Sequence, residues 1–539
     1  MNTIKGNAQQ ILRNFTLNQA RPKSEGKSSS LQMDSYIVMP PKGSDLFKSE
    51  VSAKAQVEAV GGEVEEDLKL VGGYLTNLSD KQAAELEKRG FQVIPDRVQN
   101  FLPPIFDELS ESEESDEPKK AKPKKADKKV DPFVPLPTLS APRFDSELTR
   151  KYTGEGVTIA VMDTGVHPHP DFDGRLLGQA DFVQGLPMAY DDNGHGTHVA
   201  GCAAGDGTMS DGIHKGMASK ANIVGVKVLS GAGSGRNSDI IKGLQWCIEN
   251  KDALNIKVIN MSLGGPSSKD WENDPINQAV QAAYEAGIVV LAAAGNEGPG
   301  RKTVGSPGNS PHAITVGAAD DKETPDRSDD TMAEFSSRGP TKDGRLKPDI
   351  VAPGEHIFAA LAPSTEKMDS GLQNGILHKA IKGLDDMPYE VLSNLPNETF
   401  AAMGLGARTI AKLKTDENTA QAELNRLLKA TTRIELHDSM AYQALPGTSM
   451  ATPIAAGLVA AMFEANPDLS PDQVRFILAS TADKLPGQWG PNSQGAGMID
   501  PDEALTRALE TKGNQAEFLA QYAPKEEEKA AEEQPAPQA

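Results

Sequence analysis

The sequence predicts an α/β fold: a parallel sheet with helices on both faces, preceded by a small α+β unit and interrupted late by a helical insertion. Three observations carry that expectation. Between residues 136 and 520, strand-length apolar runs alternate with helical segments, the pattern of crossover units. The runs are apolar at nearly every position instead of every second one, so both faces of each strand need cover. Turn formers bound them, as Gly156 and Asp163 bound 157–162.

The elements follow in order. Residues 1–34 form a basic arm, with Lys5, Arg13, Arg21, Lys23 and Lys27 and no apolar run of the kind a secretory leader needs. Residues 35–104 form the small α+β domain: apolar runs at 36–39, 68–75 and 91–94, and a helix over 79–89 opened by Ser79 with Gln82 three places on. Residues 105–135 place acids (107–117) beside lysines (119–129) with little to bury, which makes a solvated linker.

The large domain, 136–520, carries strands at 157–162, 221–229, 258–261, 288–293 and 313–316. Helices are expected at 198–204, 238–249, 275–286 and 454–464. An insertion over about 364–438 has helical periodicity at 371–384, 396–413 and 420–429, and because it precedes a candidate site it is expected to overhang the cleft. The tail, 521–539, is Glu, Lys, Ala and Pro, a disordered composition.

Charge narrows the function classes. Across 539 residues, 55 Lys and Arg stand against 76 Asp and Glu, a net charge of −21. Such a surface is repelled by nucleic acid and by anionic membranes, so neither is an expected partner. Two cysteines cannot make a disulfide framework. No run reaches the roughly 18 apolar residues of a spanning helix. With no recognisable leader, a cytoplasmic location is expected, export by a non-classical route being the alternative.

Sites in parallel α/β sheets gather at the carboxyl ends of strands. Asp163 stands there, in Met162-Asp163-Thr164-Gly165. His195 opens a helix in Asn193-Gly194-His195-Gly196-Thr197-His198, and Ser449 heads another in Gly447-Thr448-Ser449-Met450-Ala451. Singly these residues read as a turn former, a polar cap and an N-cap. Combined, they supply what a serine nucleophile requires: an imidazole to take its proton and a carboxylate to orient the imidazole.

These three segments resemble the active-site signatures of the subtilisin-like serine peptidases, in that family's chain order. The resemblance implies a subtilisin-like fold and a serine endopeptidase working through an acyl-enzyme, with Asp163, His195 and Ser449 as catalytic residues. Ala292-Ala293-Ala294-Gly295-Asn296-Glu297-Gly298 is similar to the family segment whose Asn serves the oxyanion hole, here Asn296. Ser262-Leu263-Gly264-Gly265 resembles the family's substrate-binding edge, with Ala294 and Gly295 on the facing wall. Small residues there leave room for a large apolar P1 side chain.

Residues 35–104 look like the family's inhibitory propeptide, which makes the chain a zymogen with its own propeptide as intramolecular inhibitor and polypeptides as substrates. No cofactor is required. Asp171 and Asp173 lie in a region where some relatives bind calcium as a structural ion, but two carboxylates fall short of the usual six to eight oxygens. Alternatives are an exo- or tripeptidyl-type peptidase and a catalytically silent peptide-binding scaffold. His198 lacks the Glu of a His-Glu-x-x-His site and reads as structural, no metal ligand being expected. Cys202 and Cys247 fall on helices and read as buried thiols.

Overall fold

The computed structural model describes residues 34–41, 50–102, 144–268, 270–324, 326–362, 381, 384–385, 387–402, 407–430, 434–437 and 440–512. The arm to residue 33, the linker, most of 371–384 and the tail from 513 lie outside them.

The small domain is a four-stranded antiparallel sheet of β1 (Asp34–Met39), β2 (Glu63–Leu68), β3 (Gly73–Leu78) and β4 (Gln92–Pro95), in the order β2-β3-β1-β4. Its helices are Glu50–Ala59 and Asp80–Lys88, the latter opened by a capping box between Ser79 and Gln82. From Tyr36 to Met39, strand β1 is apolar because both faces are covered. Tyr36 and Val38 pack with Val57, Leu78 and Leu86 inside the domain, whereas Ile37 and Met39 join the core of the large domain. Strand β2 is absent from the sequence reading because Glu-Val-Glu-Glu-Asp-Leu is a charged, exposed edge that offers no alternation to detect. The run 68–75 is also not one strand: a 3₁₀ turn at Lys69–Val71 divides it.

Beyond the short β5 (Gln99–Asn100), the large domain is built on β6 (Thr158–Asp163), β7 (Leu176–Asp181), β8 (Asn222–Lys227), β9 (Ser234–Gly235), β10 (Ile256–Met261), β11 (Val289–Ala293), β12 (Ile314–Asp320), β13 (Thr331–Met332) and β14 (Ile350–Pro353). Eight of these form one sheet in the order β13-β12-β11-β10-β6-β8-β7 with β14 also on β12, parallel except for β12 with β13. Ile159 and Val161 of β6 face one apolar layer, Ala160 and Met162 the other. The first layer holds the helices His195–Ala204 and Thr448–Ala465, the second Asn237–Leu254 and Pro275–Glu285. From β6 the chain builds outward to β8 and β7 on one side and to β10 and β11 on the other, so the carboxyl ends of β6 and β10 meet at a switch point.

The helix Thr448–Ala465 is apolar all round because it is buried all round. It begins at Thr448, six residues earlier than the pattern suggests, since Pro453 lies inside it instead of at its start. At its far end, Glu464 Oε2 accepts from the N–H groups of Thr153, Gly154 and Glu155 at 2.6, 2.7 and 3.2 Å.

A separate sheet of β15 (Ile357–Leu361), β16 (Ile434–His437) and β17 (Met440–Leu445) leads into that helix. In the β15–β17 pair Ile357 faces Leu445 and Leu361 faces Ala441. The insertion therefore leaves from the end of the hairpin opposite Ser449, about 14 Å along the strands at roughly 3.4 Å per residue. Its helices Tyr389–Asn394, Asn397–Ala402, Ala407–Leu413 and Glu417–Ala430 close around a small apolar cluster that includes Leu392, Phe400, Leu413 and Leu424. This topology runs against the expected overhang of the cleft.

Candidate active site

Asp163 ends β6 and His195 begins the helix His195–Ala204, and their approach depends on Gly196. A β-carbon there would lie 2.1 Å from the Gly165 carbonyl oxygen, so only glycine lets this helix come down on the strand end. The result is a contact of 2.8 Å between His195 Nδ1 and Asp163 Oδ1, with Asp163 wholly buried. Asp163 Oδ1 also accepts from the Thr164 N–H at 2.7 Å.

Asp191 ties the two elements together, a role the sequence reading missed. Its Oδ1 accepts from the Thr164 hydroxyl (2.9 Å) and the Gly194 N–H (2.8 Å), and its Oδ2 from the N–H (2.9 Å) and hydroxyl (2.7 Å) of Thr197. A carboxylate at a helix start satisfies donors that have no partner within the helix. The signal available was an acid four residues before a Gly-His helix start.

Ser449 lies in the first turn of its helix, 6% exposed. Gly447 caps that helix at φ 146°, in the region that favours glycine, and a β-carbon there would close to 3.4 Å from Asn296 Nδ2. Asn296 Oδ1 accepts from the Thr448 N–H and hydroxyl, each at 3.0 Å. Because the oxygen is taken, the amide N–H₂ is the end of Asn296 left for the cleft. The first N–H groups of a helix have no intrahelical partner, so the Ser449 N–H is a second donor at the same place. The Ser449 hydroxyl is turned to the Ser262 carbonyl at 3.2 Å, and among the described residues it has no hydrogen bond to His195. In resting sites the bond from nucleophile to base is often long and tightens when substrate binds.

A cavity of about 540 Å³ opens beside Ser449 and Asn296. Leu263, Gly264 and Gly265 form one wall, and Ala293, Gly295 and Gly305 line the other side. Of the substrate-binding residues expected from the sequence, Ser262 and Ala294 are buried behind these walls and do not line the cavity. The lining also includes Glu297, Lys302 and Lys342, charges that the sequence reading did not place there. Lys342 Nζ donates to the Ser267 carbonyl at 2.5 Å.

The end of the small domain enters this cleft. Strand β5 pairs with β9, Gln99 facing Gly235 and Asn100 facing Ser234. The N–H groups of Phe101 and Leu102 donate to the Gly233 carbonyl at 3.1 and 3.2 Å, and the Gly264 N–H donates to the Phe101 carbonyl at 3.0 Å. The segment is thus an added strand between two edges. Upstream, Asp96 accepts from the Ser238 N–H (3.1 Å) and hydroxyl (2.6 Å) at the start of the helix Asn237–Leu254.

The Asp171 corner does not fit a divalent cation. Asp171 Oδ1 accepts from the Met209 N–H at 3.1 Å and Oδ2 from the Tyr442 hydroxyl at 2.7 Å, so hydrogen-bond donors converge where a cation needs oxygens. The Arg175 guanidinium, bonded to the Asp171 carbonyl, adds fixed positive charge, and Asp173 is exposed. Among the described residues no group of three or more His, Cys, Asp or Glu is arranged to hold a metal.

His198 has a structural place: its Nε2–H is shared between the carbonyls of Ile357 (3.0 Å) and Gln443 (2.7 Å). Burial pushes its pKa down to about 4, so the ring is neutral. Cys202 and Cys247 are both buried free thiols, and desolvation raises the pKa of each.

Comparison with known proteins agrees with this geometry. A profile of the subtilase family matches residues 154–497. The chain is 40% identical over 358 residues to "Serine protease AprX" of Bacillus subtilis (strain 168), covering 66% of this chain and 67% of that protein. It is 32% identical over 359 residues to "Subtilisin Savinase" of Lederbergia lenta, covering 66% of this chain and 93% of that one. It is 40% identical over 228 residues to "Subtilisin-like protease 3" of Pseudogymnoascus destructans, covering 42% and 48% respectively. A switch-point cleft bearing a buried Asp–His pair, a serine at a helix start and this profile over most of the large domain lead to one conclusion: the chain belongs to the subtilase family of serine peptidases.

Proposed function

We propose that Asp163, His195 and Ser449 act as the catalytic triad of a serine endopeptidase, with Asn296 and the Ser449 N–H as oxyanion donors. The observation that carries this reading is the 2.8 Å contact between His195 Nδ1 and Asp163 Oδ1. It holds the proton on Nδ1 and leaves Nε2 as the acceptor for the serine proton. Ser449 Oγ then adds to the scissile carbonyl while His195 takes its proton. The developing oxyanion gains hydrogen bonds that the planar carbonyl does not, which lowers the barrier selectively. His195 returns the proton to the leaving amine, and water, activated by the same imidazole, hydrolyses the ester.

Substrate binds extended between β9 and Gly264, the two edges that hold residues 99–102. The small and apolar walls of the cavity favour a large apolar P1 residue, with Lys302 and Lys342 at hand for polar tips. The chain is a zymogen in this reading, its residues 35–104 inhibiting by occupying the cleft. Two features support that role: the apolar face shared between Ile37, Met39 and the large domain, and the tail strand itself. Pro103 and Pro104 follow Leu102; proline lacks the N–H that an extended substrate offers, so this tail resists cutting and release falls in the charged linker.

Incubation with unfolded casein tests the whole reading. The wild type yields internal fragments and a new amino terminus within 105–135, and Ser449→Ala yields neither. Casein cleavage by Ser449→Ala, or full activity from an uncut chain, would refute the respective part.

A further inference from the structure

A proline inside a helix leaves the carbonyl four residues earlier without its usual N–H donor. In the helix Thr448–Ala465 that proline is Pro453, so the carbonyl deprived is that of Ser449. The Ser262 hydroxyl meets it at 2.8 Å. Ser262 Oγ accepts in turn from Asn260 Nδ2 at 2.9 Å, which commits its single proton to Ser449. The Ser262 carbonyl closes the pair by accepting from the Ser449 hydroxyl at 3.2 Å. Asn260 and Ser262 are both wholly buried.

We propose that Ser262 is a positioning residue for the nucleophile: its side-chain hydroxyl, oriented by Asn260, replaces the helix donor that Pro453 lacks and fixes the backbone of Ser449. This rests on the assignment of Ser449 above. It is distinct from the substrate edge, which uses main-chain groups and has no need of the Ser262 side chain. The carbonyl in question belongs to the residue that supplies both the attacking Oγ and an oxyanion N–H. A tilt at this residue misplaces both together. Since those groups act in the transition state, the loss falls on kcat and spares KM.

The test combines Ser262→Ala, Ser262→Thr and Pro453→Ala in the full chain. Ser262→Ala is expected to lower kcat on a peptide anilide by about 10–100-fold, as a misplacement approaching 1 Å does, with KM unchanged. Labelling of Ser449 by a fluorophosphonate slows by the same factor. Ser262→Thr keeps the hydroxyl and recovers most of both rates. Pro453→Ala returns an N–H to the Ser449 carbonyl, so adding Ser262→Ala to it costs far less than in the parent. Labelling of Ser262→Ala at the parental rate would overturn the proposal. So would a loss that threonine does not recover, and this comparison stands even where Pro453→Ala fails to fold. A parent that the fluorophosphonate does not label at Ser449 would instead sink the nucleophile assignment.

Discussion

Asn296 is oriented by Thr448, the residue before Ser449: both the N–H and the hydroxyl of Thr448 donate to Asn296 Oδ1 at 3.0 Å. Asn296 and Ser449 are therefore held as one unit. Asn296→Ala removes the donor and also strips two hydrogen bonds from the first turn of the serine helix. The expected outcome is a fall in kcat of about 10²–10³-fold with little change in KM, read from saturation kinetics on a peptide anilide.

Asp163→Asn keeps the shape of the buried acid and removes its charge. The amide favours the wrong imidazole tautomer, so kcat is expected to drop about 10⁴-fold. Circular dichroism and thermal melting identify a folded variant, and steady-state kinetics measure the loss.

Asp96 anchors the small domain at the start of the helix Asn237–Leu254 through Ser238. Hydrogen bonds to a charged group contribute about 1.5–3 kcal/mol, so Asp96→Ala should weaken the proposed self-inhibition by roughly tenfold or more. The check is the lag before the full chain begins to hydrolyse a peptide: it shortens in the variant.

His198 sets an acid limit on stability. Its folded pKa, about 4, lies below its ordinary value of 6.5. Between those values the unfolded chain binds the extra proton, so stability rises with pH across that window. The contribution is complete above pH 6.5 and is lost as the pH falls toward 4, on the order of 3 kcal/mol in all. Thermal melts of Ser449→Ala chains over this range should show a steeper pH slope with His198 than with His198→Gln.

The insertion springs from the hairpin end that pairs Leu361 with Ala441, remote from Gly447. Replacing 364–438 with a tight turn should therefore leave kcat/KM on short peptides unchanged. A large loss on peptides, with the fold intact by circular dichroism, would show that the insertion reaches the cleft after all.

The parallel core was legible because β6, β8, β10 and β11 are apolar on both faces, and no polar alternation confused them with surface strands. The Asp163, His195 and Ser449 positions stood out through their glycine-rich surroundings, and Gly196 and Gly447 turn out to be there for close approach and backbone conformation. Contacts between side chains distant in sequence were hidden. Nothing local says that Tyr442 caps Asp171 or that Ser262 completes the turn at Pro453, because each depends on segments 271 and 187 residues apart in sequence meeting in space. The charged β2 escaped for a different reason: its stability comes from pairing with β3, not from its own pattern.

Glu464 gathers three successive N–H groups at Thr153, Gly154 and Glu155, and so staples the entry of the large domain to the base of its central helix. If the chain is processed as proposed, trimming upstream of Thr153 would meet a firm stop there. Mature molecules with unequal amino termini should accordingly share one melting temperature and one specific activity.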